Sequence, residues 1–126
     1  MSRFYALVLV PGETPEEEAG DAALELLYPY MQGTSEEPED FKFDYMLGPE
    51  EIAALSEDDG VQNIWPVSEI VDTFADLEVE AIVASDGTWH EVEPGEMWDD
   101  PAWVEQARQV LEQHRDCLAL RHVLHT

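Results

Sequence analysis

Residues 79–92 read VEAIVASDGTWHEV. Two short runs rich in β-branched and aromatic residues flank Asp86-Gly87. That dipeptide is the strongest short-range hairpin signal, because a two-residue turn needs central residues that accept positive φ. A two-residue turn pairs Val83 with His90 and Ala84 with Trp89. Opposed residues share a face, so this register sets His90 and Val92 beside Val79, Ala81 and Val83, and Trp89 and Glu91 beside Ile82 and Glu80. An antiparallel pair is therefore expected in the second half of the chain.

Working outward, residues 3–10 (RFYALVLV) form an almost unbroken apolar run that stops at Pro11-Gly12. A run of this length reads as a strand covered on both faces, and it is too short for a membrane span. Thr14-Pro15-Glu16-Glu17 reads as a helix start, with Thr14 as N-cap, Pro15 at the first helical position and Glu17 in a capping box. Ala23, Leu24, Leu27 and Tyr28 give its apolar stripe, and Pro29 ends it near Tyr28. Residues 31–40 read as loop. Phe41, Phe43 and Tyr45 alternate with Lys42 and Asp44 as in a strand. Gly48-Pro49 opens a short helix carrying Ile52, Ala53 and Leu55. Val61 to Trp65 reads as extended, and Ser68 as the cap of a short helix reaching Phe74.

Beyond the hairpin, Asp99 or Asp100 followed by Pro101 starts a helix. Trp103, Ala107, Val110 and His114 make its stripe, flanked by Val104 and Leu111, and it ends near Arg115-Asp116. Residues 117–124 form a last strand, with Leu118, Leu120, His122 and Leu124 on one face and Ala119, Arg121 and Val123 on the other. Mixed strands and helices in one short chain argue an α+β fold. The expected form is a mainly antiparallel sheet with two or three packed helices. The β-α-β…β-β-α-β order is compatible with a ferredoxin-like variant.

The 126 residues make one domain, 1–126, by size. Thirty are Asp or Glu against five Lys plus Arg, a formal net charge of −25. A disordered acidic tail would lack the four Trp, four Tyr and four Phe found here. The chain therefore reads as a folded domain with an acidic skin. Such a surface disfavours nucleic acid and anionic membranes as direct partners, and favours a basic protein. Cys117 is the one cysteine, so no intramolecular disulfide or cysteine-based zinc cluster forms, which suits a cytoplasmic setting.

Asp86-Gly87-Thr88-Trp89-His90-Glu91, followed by Pro94-Gly95-Glu96-Met97 and Trp98, resembles a signature of small phage and prophage proteins of actinobacteria. The resemblance extends to Trp103, to the stretch from Asp116 to His125, and to the opening FYALVLVPG. The middle of the chain matches poorly. Two departures stand out. Trp98 directly follows Met97 where the family has an intervening glycine, and Val123-Leu124-His125 stands where an Asp-Cys-His ending is frequent. The resemblance implies a mobile-element origin, with the host cytoplasm as its setting, and does not imply a mechanism.

Several carboxylates have structural explanations. Glu16, Glu17 and Glu18, like Glu50 and Glu51, sit in a helical first turn, where the macrodipole favours anions. Glu36, Glu37, Glu39 and Asp40, and then Glu57, Asp58 and Asp59, have no such explanation and are the candidate partner-binding residues. Double-stranded DNA carries one charge per roughly 1.7 Å of axis. The reading favoured by this excess is a nucleic-acid mimic that occupies the basic surface of a host DNA- or RNA-binding protein, in an anti-defence or anti-restriction role. Two other classes compete: a halophile-adapted protein whose acidity maintains solubility, and a small metal-assisted enzyme using His90 and His125. The sequence holds no HExxH, GxSxG, phosphate loop or EF-hand pattern, so no cofactor, metal or catalytic residue is assigned. Neither Ser68 nor Ser85 has a base nearby in sequence. Arg108, Arg115 and Arg121 read as salt-bridge partners at helix and strand ends, and His90 as a packed side chain.

Overall fold

The computed structural model describes residues 3–30, 45–47, 63–93 and 95–125. Its strands are β1 (Arg3–Val10), β2 (Tyr45–Leu47), β3 (Ile64–Pro66), β4 (Val79–Val83), β5 (Trp89–Glu91) and β6 (Leu118–His125). The helices are α1 (Glu16–Leu27), the short α2 (Val67–Ile70) and α3 (Pro101–Gln113), with 3-10 turns at Tyr28–Tyr30 and Phe74–Leu77. The sheet runs β2-β6-β1-β4-β5, and β3 also pairs with β6. Among the described strands only β1 and β4 pair in parallel. The fold is α+β, with a mostly antiparallel mixed sheet.

The uninterrupted apolar character of β1 has a direct cause: helices cover both faces of the sheet. Leu7, Leu9, Val79, Ile82 and Ala119 pack with Trp103, Ala107, Val110 and Leu111 of α3 and with Val67, Ile70 and Phe74. Ala6, Val8, Val10, Ala81, Val83, Leu120 and Leu124 pack with Ala19, Ala23 and Leu27 of α1. Ala6 through Val10 are all fully buried. A strand enclosed on both sides needs no polar alternation. Within its class the chain departs from the ferredoxin-like pattern, since β1 and β4 are immediate parallel neighbours and the helices lie on opposite faces.

The hairpin register differs by one residue from the two-residue-turn expectation. Val83 lies opposite Trp89, and Ile82 opposite His90. The Ala84 amide donates to the Thr88 carbonyl at 2.9 Å and the Gly87 amide to the Ala84 carbonyl at 2.8 Å, leaving a three-residue loop, Ser85 to Gly87. Gly87 takes φ +89°. The Asp86 carboxylate accepts from the Thr88 amide at 3.0 Å, so the loop is held by a side chain as well. A one-residue shift moves every side chain to the opposite face. Trp89 consequently packs in the α1-facing core and His90 lies across from Ile82 on the other side. A second irregularity acts in β4. Tyr5 pairs with Val79 and Ala6 with Ala81, so Glu80 is bulged. The bulge lets Val79 face α3 while Ala81 faces α1.

Other local expectations are refined in the same way. Helix α1 begins one residue late, with Pro15 at the N-cap and no side-chain cap from Thr14. Its buried stripe is Ala19, Ala23 and Leu27, while Tyr28 is exposed. Pro66 rather than Ser68 precedes α2. Asp100 does cap α3, its carboxylate accepting from the Trp103 amide at 3.2 Å. Tyr45 lies in a strand as expected. The strand reading for Phe41 to Asp44 and the short helix from Gly48 lie outside the described residues.

Gly12 links β1 to the turn before β6. A Cβ there would lie 1.9 Å from the Asp116 carbonyl oxygen, which is backbone and has no rotamer to yield. Gly12→Ala is expected to destabilise the fold by about 1–3 kcal/mol, the usual cost of overpacking. Urea titration followed by circular dichroism measures this. A midpoint equal to that of the parent would show that the two segments separate freely.

Candidate functional site

The seven carboxylates singled out from sequence, Glu36, Glu37, Glu39, Asp40, Glu57, Asp58 and Asp59, lie outside the described residues. Among the described residues, the most ordered display of negative charge is on α1. Its buried side is clamped to the sheet by Ala19, Ala23 and Leu27. Its outer side exposes Glu17, Glu18, Asp21 and Glu25. Glu17, Asp21 and Glu25 are successive i, i+4 neighbours, rising about 6 Å per step. Like charges at this spacing destabilise a helix by about 0.2–0.5 kcal/mol per pair. The macrodipole offsets this for Glu17 and Glu18 but not for Asp21 or Glu25, which lie beyond the first turn. No basic residue occupies the last turn of α1.

Arg108, Arg115 and Arg121 are committed elsewhere. Arg108 pairs with Asp72 at 3.5 Å and Arg115 with Glu112 at 2.9 Å, both on the surface. Exposed pairs of this kind add little stability. Arg121 departs from the salt-bridge expectation. Its guanidinium lies 4.5 Å from the Tyr5 ring centroid and 5.5 Å from that of Trp65. Its Nε donates to Asn63 Oδ1 at 2.9 Å and its Nη1 to the Leu77 carbonyl at 3.2 Å. It ties β3 and the turn before β4 to the centre of the sheet.

The histidines do not converge. His90 is on β5 and His125 on β6, with β4 and β1 between them. Three strand spacings amount to about 14 Å, beyond the reach of one shared ion. Among the described residues no group of three His, Cys, Asp or Glu side chains is placed to hold a metal. His122 is buried in the α1-facing side of β6, its Nδ1 3.4 Å from the Leu120 carbonyl oxygen. Burial lowers its pKa to about 4.

One cluster was not legible in the sequence. Ser85 opens the hairpin loop, His114 is the C-cap of α3, and Cys117 precedes β6. Ser85 Oγ lies 3.4 Å from His114 Nδ1. The Cys117 thiol lies in the same neighbourhood, its ionisation influenced by the Ser85 hydroxyl. All three side chains are half-buried. Burial raises the Cys117 pKa, the Ser85 hydroxyl opposes that rise, and Asp116 and Glu13 add to it. Asp86 is held below the usual carboxylate range, chiefly by its hydrogen bonds to Thr88, with smaller contributions from His114 and His90. Twenty-nine residues separate Ser85 from His114, so no local motif connects them.

The buried indole N–H of Trp89 has no partner among the described residues. The Trp89 ring leans on Tyr30 at 5.0 Å between centroids, and the Tyr30 hydroxyl donates to the Gly87 carbonyl, which anchors the hairpin to the end of α1. No described helix is long and apolar enough to cross a membrane. Comparison with family models, with curated proteins and with solved structures gave no match to this chain.

Proposed function

We propose that this chain is an acidic binding module that imitates the charged surface of nucleic acid and occupies the basic groove of a nucleic-acid-binding protein. The observation that carries the reading is the outer face of α1. There Glu17, Glu18, Asp21 and Glu25 stand exposed with no ion pair among the described residues, on a helix whose other side is locked to the sheet. Repulsion along such a row costs stability that no ion pair among the described residues offsets. A cationic partner recovers it. The row carries a charge about every 6 Å, roughly half the line density of one DNA strand.

Glu36, Glu37, Glu39, Asp40, Glu57, Asp58 and Asp59 extend the proposed partner surface. The resemblance to phage-type proteins supplies a setting in which blocking a host defence or restriction protein is useful. Steering by the net charge of −25 makes the encounter fast at low salt and weak at high salt.

The test starts from affinity capture in a host lysate with mass spectrometry of what binds, followed by titration of the purified pair. Changing Glu17, Glu18, Asp21 and Glu25 together to Lys is expected to weaken the complex at least tenfold, about 1.4 kcal/mol, with the circular-dichroism spectrum retained. Reversal of Glu36, Glu37, Glu39 and Asp40 is expected to weaken it as well. Duplex DNA should compete for the partner. A complex indifferent to salt, to DNA and to both sets of reversals would falsify the mimic reading and point to an apolar interface.

A further inference from the structure

We propose that Ser85 and His114 form a hydroxyl-centred acyl-transfer site, with Ser85 as nucleophile and His114 as its base, acting on neutral or cationic carboxylic esters. The two residues come from different elements, the loop after β4 and the end of α3, and Cys117 before β6 lies nearby. They meet near the carboxyl ends of β1 and β4, the side of a parallel strand pair where open α/β sheets place their ligands. Ser85 Oγ is 3.4 Å from His114 Nδ1, a separation that tightens to a full hydrogen bond by a small side-chain movement. Half-burial leaves the hydroxyl reachable while excluding much of the bulk water.

The surroundings narrow the chemistry. Asp86 adjoins Ser85 in the loop, and Asp116 and Glu13 lie close enough to act on Cys117. These carboxylates repel a phosphate or carboxylate substrate and tolerate a neutral or positively charged one. Positive charge formed on His114 meets the carbonyl end of α3 and the Asp86 carboxylate. Burial, Asp116 and Glu13 raise the Cys117 pKa and so keep it a thiol, which leaves the Ser85 hydroxyl as the nucleophile.

In the first step Ser85 Oγ bonds to the carbonyl carbon as its proton passes to His114 Nδ1. The ester C–O bond breaks, and the departing alkoxide takes that proton as an alcohol. A water then attacks the acyl-serine and gives a proton to His114. The Oγ–acyl bond breaks, Ser85 recovers the proton, and a carboxylic acid leaves. No oxidant, metal or further reactant is required.

The test uses the full chain with p-nitrophenyl acetate and with a p-nitrophenyl ester carrying a trimethylammonium acyl group. Peptide mass spectrometry locates the adduct, and p-nitrophenol release gives the rate. The expected results are an acyl group on the peptide carrying Ser85, faster reaction with the cationic ester, and loss of the adduct in Ser85→Ala. His114→Gln is expected to slow acylation by about 100-fold, the lower range for a positioned base. Wild-type protein that acquires no acyl group on Ser85, or that is labelled only on Cys117 or at surface groups, overturns the proposal without reference to any variant.

Discussion

Trp103→Ala is expected to destabilise the protein by about 3–5 kcal/mol, the range for removing a large buried aromatic. Trp103 is 2 % exposed and sits at the first turn of α3, where the Asp100 cap fixes its backbone. Its ring meets Phe74 edge-on, with centroids 6.1 Å apart and planes at 69°. Its indole N–H donates to the Val79 carbonyl at 2.9 Å. That carbonyl lies at the bulge where β4 changes face, so one side chain closes the core and also satisfies an irregular piece of backbone. Truncation removes both functions, and an acceptor left dry adds to the loss of packing. Trp103→Phe keeps much of the volume and is expected to cost less than the alanine variant. Denaturant unfolding of the three proteins separates the contributions. For a domain with total stability of about 5–15 kcal/mol, the alanine variant approaches global unfolding. A well-folded Trp103→Ala protein of unchanged midpoint would show that α3 does not need this anchor.

The second large effect is a loss of stability with acid, centred on His122. This imidazole is 1 % exposed and its pKa is lowered from 6.5 to about 4, first by burial, with the Leu120 carbonyl acting in the opposite sense. Above about pH 6.5 both folded and unfolded chains hold the ring neutral, and the site adds no pH dependence. Between about 6.5 and about 4 the unfolded chain takes up a proton that the folded chain refuses. Stability therefore falls as pH falls, by about 3 kcal/mol across that window. Protonation of surface carboxylates works the other way at the acid end, because it relieves the self-repulsion of a chain at −25. The two effects separate in a difference measurement. His122→Leu removes the proton-linked penalty and leaves the carboxylates in place. The stability of that variant relative to the parent is expected to rise by about 3 kcal/mol from pH 7 to pH 4. Parallel pH profiles would mean that the ring at position 122 is open to water in the folded state.

Much of the fold was legible in the sequence because its signals are local. The apolar run of β1, the Asp100-Pro101 start of α3 and the Trp103, Ala107 and Val110 part of its stripe each depend on residues a few positions apart, whereas His114, read into that stripe, is only half-buried at the helix end. Periodicity and capping operate on that scale. The alternation in residues 118–124 correctly placed Leu120, His122 and Leu124 on one face, because a strand repeats every two residues whatever lies beside it. The acidic character was equally plain, since composition needs no structure.

What the tertiary structure decided are the matters in which distant residues compete. Asp86-Gly87 is compatible with loops of two or three residues. Packing of Trp89 against Tyr30 and the α1-facing core, together with the Asp86–Thr88 hydrogen bond, accompanies the longer one and reverses the faces of Trp89 and His90. The partition of helices between the two faces follows from β1 pairing with β4 on one side and β6 on the other, contacts closed over the length of the chain. Arg121 looked like a salt-bridge residue, and its aromatic neighbours Tyr5 and Trp65 are brought to it only by sheet pairing. The meeting of Ser85, His114 and Cys117 has the same origin. Each side chain alone is unremarkable in sequence; a loop, a helix end and a strand start must be folded against one another before a hydroxyl, an imidazole and a thiol share one place.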